Sequence, residues 1–425
     1  MSNETLDARG RPRVVVTGMG MLSPLGNTVE ESWENMMAGR SGITRITQFD
    51  ASELPTQIAG EVKDFVARDH MDFKEARRMS RASQLTVAAA RMALADAGLP
   101  EQVPDPDRTG VLVGTAAGGM ERAFEEMDTF RARGPRAVSP FGMTMFLCNM
   151  PTHHVSLMTG STGPLSTIVA ACATGTQTIG EGAEFIRRGA ADMMLAGGVE
   201  GLIHVSAIVG FGAMRALSTR YNDSPERASR PFDKDRDGFI LAEGAAIVVL
   251  ERLDKALERG ARIYGEVLGH ASSSDAYHVA APDPEARGAI RAMQWALDDA
   301  GLTPRDVDYI NAHGTSTPVN DATETLAIKR LFSERAYEVP ISSTKSAMGH
   351  AMGAAGTIES IFTLLGLGRG LIPPTWNYET PDPECDLDYV PNAPRPASIN
   401  IALKNSFGLG GQNACLVLGR YSNGQ

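Results

Sequence analysis

The chain lacks any apolar run near the ~18–20 residues that a helical membrane span needs. Its first residues, Met1 to Arg13, are polar and contain no apolar core, so no secretory signal is read there. Cysteine is scarce: Cys148, Cys172, Cys385 and Cys415 are scattered with no C-x-x-C spacing. That pattern excludes a zinc ribbon and a disulfide framework, and it suits a reducing cytoplasm. Positive charge is in deficit, with a net charge of −11, which argues against a nucleic-acid partner. There is no G-x-x-x-x-G-K-[ST] run and no dinucleotide fingerprint. Asp233-Lys-Asp235-Arg-Asp237-Gly238 imitates the start of a calcium loop, but Glu243 stands one residue too early after the glycine. A charged surface turn, Arg236 pairing locally with Asp237, is expected there instead.

What the chain does have is glycine, 44 of its 425 residues, and 43% hydrophobic residues at 21% charged, the composition of a globular protein. Arg13 to Gly18 reads as a buried first strand. Thr28-Val-Glu-Glu31 reads as a capping box opening a helix to Gly39. Leu85, Ala88, Met92 and Ala95 lie at helical spacing in a second helix from Ser80 to Ala97, closed by Gly98. Gly110 to Thr115 follows as a strand.

The order of elements then repeats. Ala93-Leu-Ala-Asp-Ala-Gly-Leu99 returns as Ala296-Leu-Asp-Asp-Ala-Gly-Leu302, and each copy precedes a strand ending in Gly-Thr, at 114–115 and 314–315. The segment after Cys172 has a counterpart in Gly349-His350-Ala-Met-Gly-Ala-Ala-Gly356. An internal duplication is the reading, with an N-terminal half over 11–260 and a C-terminal half over 261–420. Alternating strands and helices predict an α/β fold with a mainly parallel sheet in each half. Tyr221 to Gly238 is read as a surface loop, and the chain ends in two strands around a glycine loop.

Ile168 to Ala171 reads as a buried strand that stops at Cys172, after which a helical pattern runs to about Arg188. A thiol at a helix start meets free N–H groups and the positive end of the dipole, which favour thiolate, the nucleophilic form. A small buried core residue fits the same stretch. Asn311-Ala-His313-Gly-Thr315-Ser-Thr317 is a polar cluster at the end of an apolar strand. His350, in Lys345-Ser-Ala-Met-Gly-His350, also falls at a helix start, where a neutral imidazole is favoured. Asn405 to Asn413 is a glycine-rich loop able to lend a backbone N–H to an oxyanion. Lys74-Glu-Ala-Arg77-Arg78-Met-Ser-Arg81 is the densest basic stretch; it fits a solvated helix entrance or a dock for an acidic partner, which Arg133, Arg136 and Arg215 could extend.

Together, Ala-Cys172-Ala-Thr-Gly, Asn-Ala-His313-Gly-Thr-Ser-Thr, Lys345 with His350, and the Gly-Leu409-Gly-Gly-Gln-Asn loop resemble type II elongating β-ketoacyl-acyl-carrier-protein synthases, over about Arg13 to Arg420. The resemblance implies the thiolase fold, five layers αβαβα in two similar halves, usually dimeric. It implies an acyltransferase that performs a decarboxylative Claisen condensation. Cys172 would carry the acyl chain, with its own N–H and that of Leu409 as oxyanion hole, in a gating loop of Phe407, Gly408, Leu409 and Gly410. His313 and His350 would hydrogen-bond the malonyl thioester as it becomes an enolate. Lys345 and Glu324 would pair and fix them. Thr315 and Thr317 would contact the phosphopantetheine arm, and Lys74, Arg77, Arg78, Arg136 and Arg215 would dock acyl carrier protein. The resemblance implies no metal and no organic cofactor.

Two departures stand out. Leu409 and Gln412 occupy loop positions that commonly hold Phe and Thr, and Ala117 stands where a bulkier aliphatic residue often closes the acyl pocket. Less bulk suggests a longer or stiffer chain, as in a polyketide or polyene synthase working with a chain-length-factor-like subunit in place of a homodimer. Two rivals are disfavoured: a thiolase, since Cys415 lies in an apolar strand pattern outside the glycine loop and the paired histidines favour the synthase, and a non-catalytic partner subunit, which would lack the nucleophile that Cys172 supplies.

Overall fold

The computed structural model describes residues 3–422, so Met1 and Ser2 of the polar N-terminal stretch lie outside the described residues. Ten strands form one mixed sheet. In chain order they are β1 Val14–Leu22, β2 Thr109–Thr115, β3 Leu165–Ser166, β4 Met193–Glu200, β5 Gly244–Arg252, β6 Gly265–Ser274, β7 Tyr309–Asn311, β8 Ile341–Ser342, β9 Ile401–Gly408 and β10 Gln412–Gly419. Outward from the central β1–β6 contact, where Val15 faces Glu266, one wing runs β1-β5-β4-β2-β3 and the other β6-β10-β9-β7-β8. The second order is the first shifted by five strands. The repeat in the sequence is therefore a repeat in topology.

The sheet corrects one expectation. In each wing only the outer pairs are parallel, β4–β2–β3 and β9–β7–β8; the inner pairs are antiparallel. Parallel pairs need a crossover, and β9 and β10 are joined only by Leu409-Gly410-Gly411, with φ of +81° and +71° at the two glycines. So tight a connection makes a hairpin, which is antiparallel.

Five helices complete the layers: α1 Arg81–Asp96, α2 Thr174–Arg187, α3 Arg287–Ala300, α4 Pro318–Phe332 and α5 Met352–Arg369. α1 packs on β1 and β5, α3 on β6 and β10 with α4 beside it, while α2 and α5 pack on each other and on strands of both wings. This is the αβαβα arrangement of the thiolase fold. α5 is buried from Met352 to Leu367, as expected of a helix apolar on every side. α1 starts at Ser80, whose side chain accepts the Ser83 N–H, and lies directly on β1 because Gly18 and Gly20 have no Cβ to collide with Ala93 O and Ala89 O. Thr28 caps the helix Val29–Met37, but Glu31 reaches back to the N–H of Asn27 instead of Thr28. No helix among the described residues is long and apolar enough to cross a membrane.

The stretch 221–238 is not the surface loop expected. Ala228 to Asp233 is buried, and Arg230 pairs with Asp233 at 2.9 Å. Arg236 does not pair with Asp237: it pairs with Asp382 and lies 3.7 Å from Asp321, while Asp237 accepts from Ser218 Oγ and the N–H groups of Thr219 and Arg220.

Candidate active site

Each functional side chain stands where a regular element stops. Cys172 lies in a single turn, Ala171–Ala173, that leads into α2. The strand expected over 168–171 is shorter and earlier: β3 covers only Leu165 and Ser166, and Val169 is 52% exposed. β3 is an edge strand, paired on one side only, and both of its residues are exposed. Ala171 has φ +48°, a costly conformation for a residue with a Cβ. It is held by the Ala173 N–H on Ala170 O and by the Ala170 N–H on Thr174 Oγ1. His350 occupies the equivalent place in the second wing, two residues before α5, as Cys172 is two residues before α2. His313 follows β7.

The three side chains converge. Cys172 Sγ and ring nitrogens of His313 and His350 lie within 4.8 Å of one another. The imidazole rings meet edge to face, 5.3 Å between centroids, with Phe407 and Phe239 edge-on beside them. They line a cavity of about 450 Å³ together with Thr315, Thr317, Gly408, Leu409 and Arg215. Nδ1 of His313 and both ring nitrogens of His350 are buried without a hydrogen-bond partner. Such groups are costly unless a substrate satisfies them.

The protonation of the thiol differs from the sequence expectation. Burial pushes Cys172 up to about 11, against the pull of the Leu409 N–H and the Lys345 ammonium; Glu200 pushes it the same way as burial. Removal from water outweighs the helix start. The resting nucleophile is a thiol, and its proton must leave during attack. Burial also holds both histidines well below their usual range, helped for His313 by Lys345, His350 and Lys404, and for His350 by Lys345 and Lys404. Neutral imidazoles at this distance are the available proton acceptors. One expectation follows: alkylation of Cys172 by iodoacetamide rises close to tenfold per pH unit from pH 7 to 10, read by peptide mass. A plateau near pH 8 would contradict the burial argument. The same three side chains form a set of metal-type ligands, and the Lys345 and Lys404 ammonium groups act on both of its histidines.

Lys345 and Glu324 do not pair. Glu324, on α4, accepts the N–H groups of His313 and Gly314, each at 2.8 Å, and the Asn405 amide at 3.3 Å. Lys345 Nζ donates to His313 O at 2.6 Å and forms its ion pair with Glu359 of α5. Glu359 also holds Lys404 of β9 at 2.8 Å. Glu324's oxygens are taken by the loop it shapes, so the lysine turns to the central helix. Both residues still fix His313, from opposite sides of its backbone. Glu359 and Lys404 escaped the sequence reading, although each had a signal: a lone acid in an apolar helix and a lone base in an apolar strand. Glu200, buried beside the cysteine with its pKa raised to about 7 by desolvation, was also missed; it accepts the N–H groups of Ala116, Ala117 and Gly353.

The other candidates divide. Thr315 and Thr317 line the cavity with their hydroxyls 2.9 Å apart. Leu409 N–H reaches Cys172, and a Cβ on Gly408 would stand 2.9 Å from Ala170 O. Ala117 sits in the apolar cluster around Cys172 with Leu202, Ile203 and Phe211. Gly410 and Gln412 are exposed at the loop tip. Arg215 is at the cavity mouth, whereas Lys74, Arg77 and Arg78 are exposed around a separate short helix, Phe73–Ala76. Arg78 stacks on Phe141, in the segment that follows the exposed Arg136. Cys415 is fully buried on β10, its Sγ 3.3 Å from Asn405 Oδ1, in the core and away from the cavity lining. A second catalytic cysteine of the thiolase kind is not there.

A thiolase-type sheet with one cysteine and two histidines at the meeting of its wings defines a condensing enzyme. The chain belongs to the β-ketoacyl synthase family: residues 11–256 match "Beta-ketoacyl synthase, N-terminal domain" and residues 264–379 the C-terminal domain. It is an acyltransferase of chain elongation. The 3-oxoacyl-[acyl-carrier-protein] synthase 2 of Synechocystis sp. is 47% identical over 411 residues, 97% of this chain and 99% of that one. The enzyme of the same name from Staphylococcus aureus is 50% identical over 409 residues, covering 96% and 98%. Among solved structures, the ishigamide ketosynthase/chain length factor superposes with a TM-score of 0.90 at 38% identity, covering 97% and 100%. A type II polyketide ketosynthase in complex with its acyl carrier protein and bound to the hexaketide gives 0.89 at 35%, with the same coverage.

Proposed function

We propose that Cys172 takes an acyl chain from acyl carrier protein as a thioester and that malonyl carrier protein is then decarboxylated in the same cavity. The observation that carries this reading is the convergence of one buried thiol with two neutral imidazoles that between them leave three buried ring nitrogens without a partner. As the thiol attacks, its proton passes to an imidazole, and the acyl oxygen gathers charge between the N–H groups of Cys172 and Leu409. The chain is then on sulfur and the carrier leaves as a thiol. His313 and His350 donate to the malonyl thioester oxygen as carbon dioxide departs. The enolate carbon attacks the Cys172 thioester, the carbonyl–sulfur bond breaks, Cys172 leaves as thiolate and regains a proton, and the product is a β-ketoacyl carrier two carbons longer. Intact-mass measurement after incubation with an acyl carrier tests the first step: an adduct confined to Cys172 is expected, and an unmodified chain would overturn it.

The substrates need no cofactor beyond the arm that carries them. The exposed Lys74, Arg77, Arg78, Arg136 and Arg215 suit an acidic carrier. Charge reversal, Arg77→Glu with Arg78→Glu, is expected to raise KM for acyl carrier protein about tenfold or more with kcat within twofold, and to blunt the salt dependence. Equal kinetics for variant and parent would remove these residues from the dock.

The free edge of β3 supports a dimer. Leu165 and Val169 are about half exposed, and Met120, Phe124, Met127 and Phe130 form an exposed apolar stripe on the helix Met120–Arg133. A homodimer is the first reading; a heterodimer with a chain-length-factor-like subunit is the second, favoured by the likeness to the ishigamide complex, by Ala117 in the apolar cluster around Cys172 and by Leu409 at the pocket. The two readings separate on substrate: turnover with a panel of saturated and polyene acyl carriers would peak at saturated chains for fatty acid elongation and at long unsaturated chains for a polyene synthase.

A further inference from the structure

Lys404 is out of keeping with its strand. It stands between Leu403 and Asn405 on β9, its side chain wholly buried. Burying an ammonium is costly unless every donor is matched. Here two donors meet Ser406 Oγ at 3.0 Å and Asn405 O, and the charge pairs with Glu359 Oε2 at 2.8 Å. Burial draws its pKa down, and Glu359 holds the charge in place.

Each partner leads to a different part of the site. Ser406 Oγ lies 2.7 Å from Thr176 Oγ1, on the helix that Cys172 opens. Asn405 donates to Glu324, which holds the N–H groups of His313 and Gly314. The second oxygen of Glu359 meets Lys345, which donates to His313 O. One buried chain therefore runs from the nucleophile's helix, through the strand of the gating loop, to the backbone of the first histidine.

We propose that Lys404 is a positioning residue for the condensation, tying the cysteine helix to the His313 turn and holding a second positive charge behind both imidazoles. This rests on the reading that His313 and His350 act as neutral donors to the enolate oxygen. The groups acting on His313 are His350, Cys172, Phe407, Lys345 and Lys404, with Glu324 at its backbone; those acting on His350 are His313, Cys172, Phe239, Lys345 and Lys404. Glu359 is the one carboxylate shared by two ammonium groups, and Glu324 is covered by three N–H donors. The remaining field at the rings is positive. It disfavours imidazolium, which would still donate a hydrogen bond but would also pair with the malonyl carboxylate and hold it against loss of carbon dioxide.

The test separates the half-reactions. Lys404→Met keeps the unbranched stem, one atom shorter, and removes the charge. Its malonyl-carrier decarboxylation is expected to fail on the acid side about one pH unit higher than in the parent, while acylation of Cys172 at pH 7.5 stays within about threefold. In Lys404→Ala, methylammonium chloride is expected to return the acid limb toward the parent, and choline chloride at equal ionic strength is not. An unmoved acid limb, or a uniform fall in both half-reactions with no amine rescue, would reduce Lys404 to a structural role and overturn the proposal. Should neither variant fold, nitrogen-15 histidine spectra of the parent enzyme decide: both rings neutral at pH 5.5 support the proposal, and either ring protonated above pH 6.5 overturns it. His313→Ala in the same decarboxylation assay keeps the underlying reading separate, since normal rates there would remove the histidine role itself, whatever Lys404 does.

Discussion

Cys172→Ala is expected to lower condensation by on the order of 10⁴-fold or more, because no other described thiol can take its place. Cys148 is half-buried beside Gly118, and Cys385 and Cys415 are buried in the core of the second wing. The acyl adduct should vanish from the intact-mass spectrum. Malonyl decarboxylation should persist, since it needs only the imidazoles. The fold should survive, as the loss is one sulfur atom from a site already lined by Ala116, Ala117 and Ala207. Residual β-ketoacyl product above background would place the nucleophile elsewhere.

The histidine variants are expected to fail in the opposite half. His313→Ala or His350→Ala removes one of two donors to the developing enolate, a loss of about 10²–10³ in the decarboxylation rate. Acylation of Cys172 should fall less, because the Leu409 N–H, which already reaches the sulfur, is untouched. The two single variants should not be additive with each other, since the donors act on one oxygen. Equal losses in acylation and decarboxylation would mean that the imidazoles serve the thiol alone.

Both predictions draw on residues legible in the chain itself. Cys172 and His313 each follow an apolar stretch, His350 stands behind Gly349 at a helix start, and with the Gly-Leu409-Gly-Gly loop they make up the motifs by which the family is recognised. The duplication was legible as well: Ala93–Leu99 and Ala296–Leu302 close equivalent helices, α1 and α3, in the two wings. The mixed sheet was not legible. Strand direction depends on which neighbour a strand finds, and β5 finds β1 only after the excursion 201–243.

Ion-pair partners were equally hidden. Lys345 could have met Glu324 or Glu359, both acids in the same half; the choice falls to Glu359 because Glu324 is already bonded to two loop N–H groups. The charge state of Cys172 was misjudged because a helix start is visible in sequence and burial is not. Desolvation scales with everything packed around the sulfur, from Ala59 on one side to Met352 on the other.

The order and kind of the reactive groups, then, belong to the sequence alone, since periodicity, caps and glycines act between neighbours in the chain. Which charge meets which, how the strands align, and whether the sulfur rests as thiol or thiolate were decided by the tertiary structure. Those outcomes depend on distance and on exclusion of water, and both come into being only when the two wings close on each other.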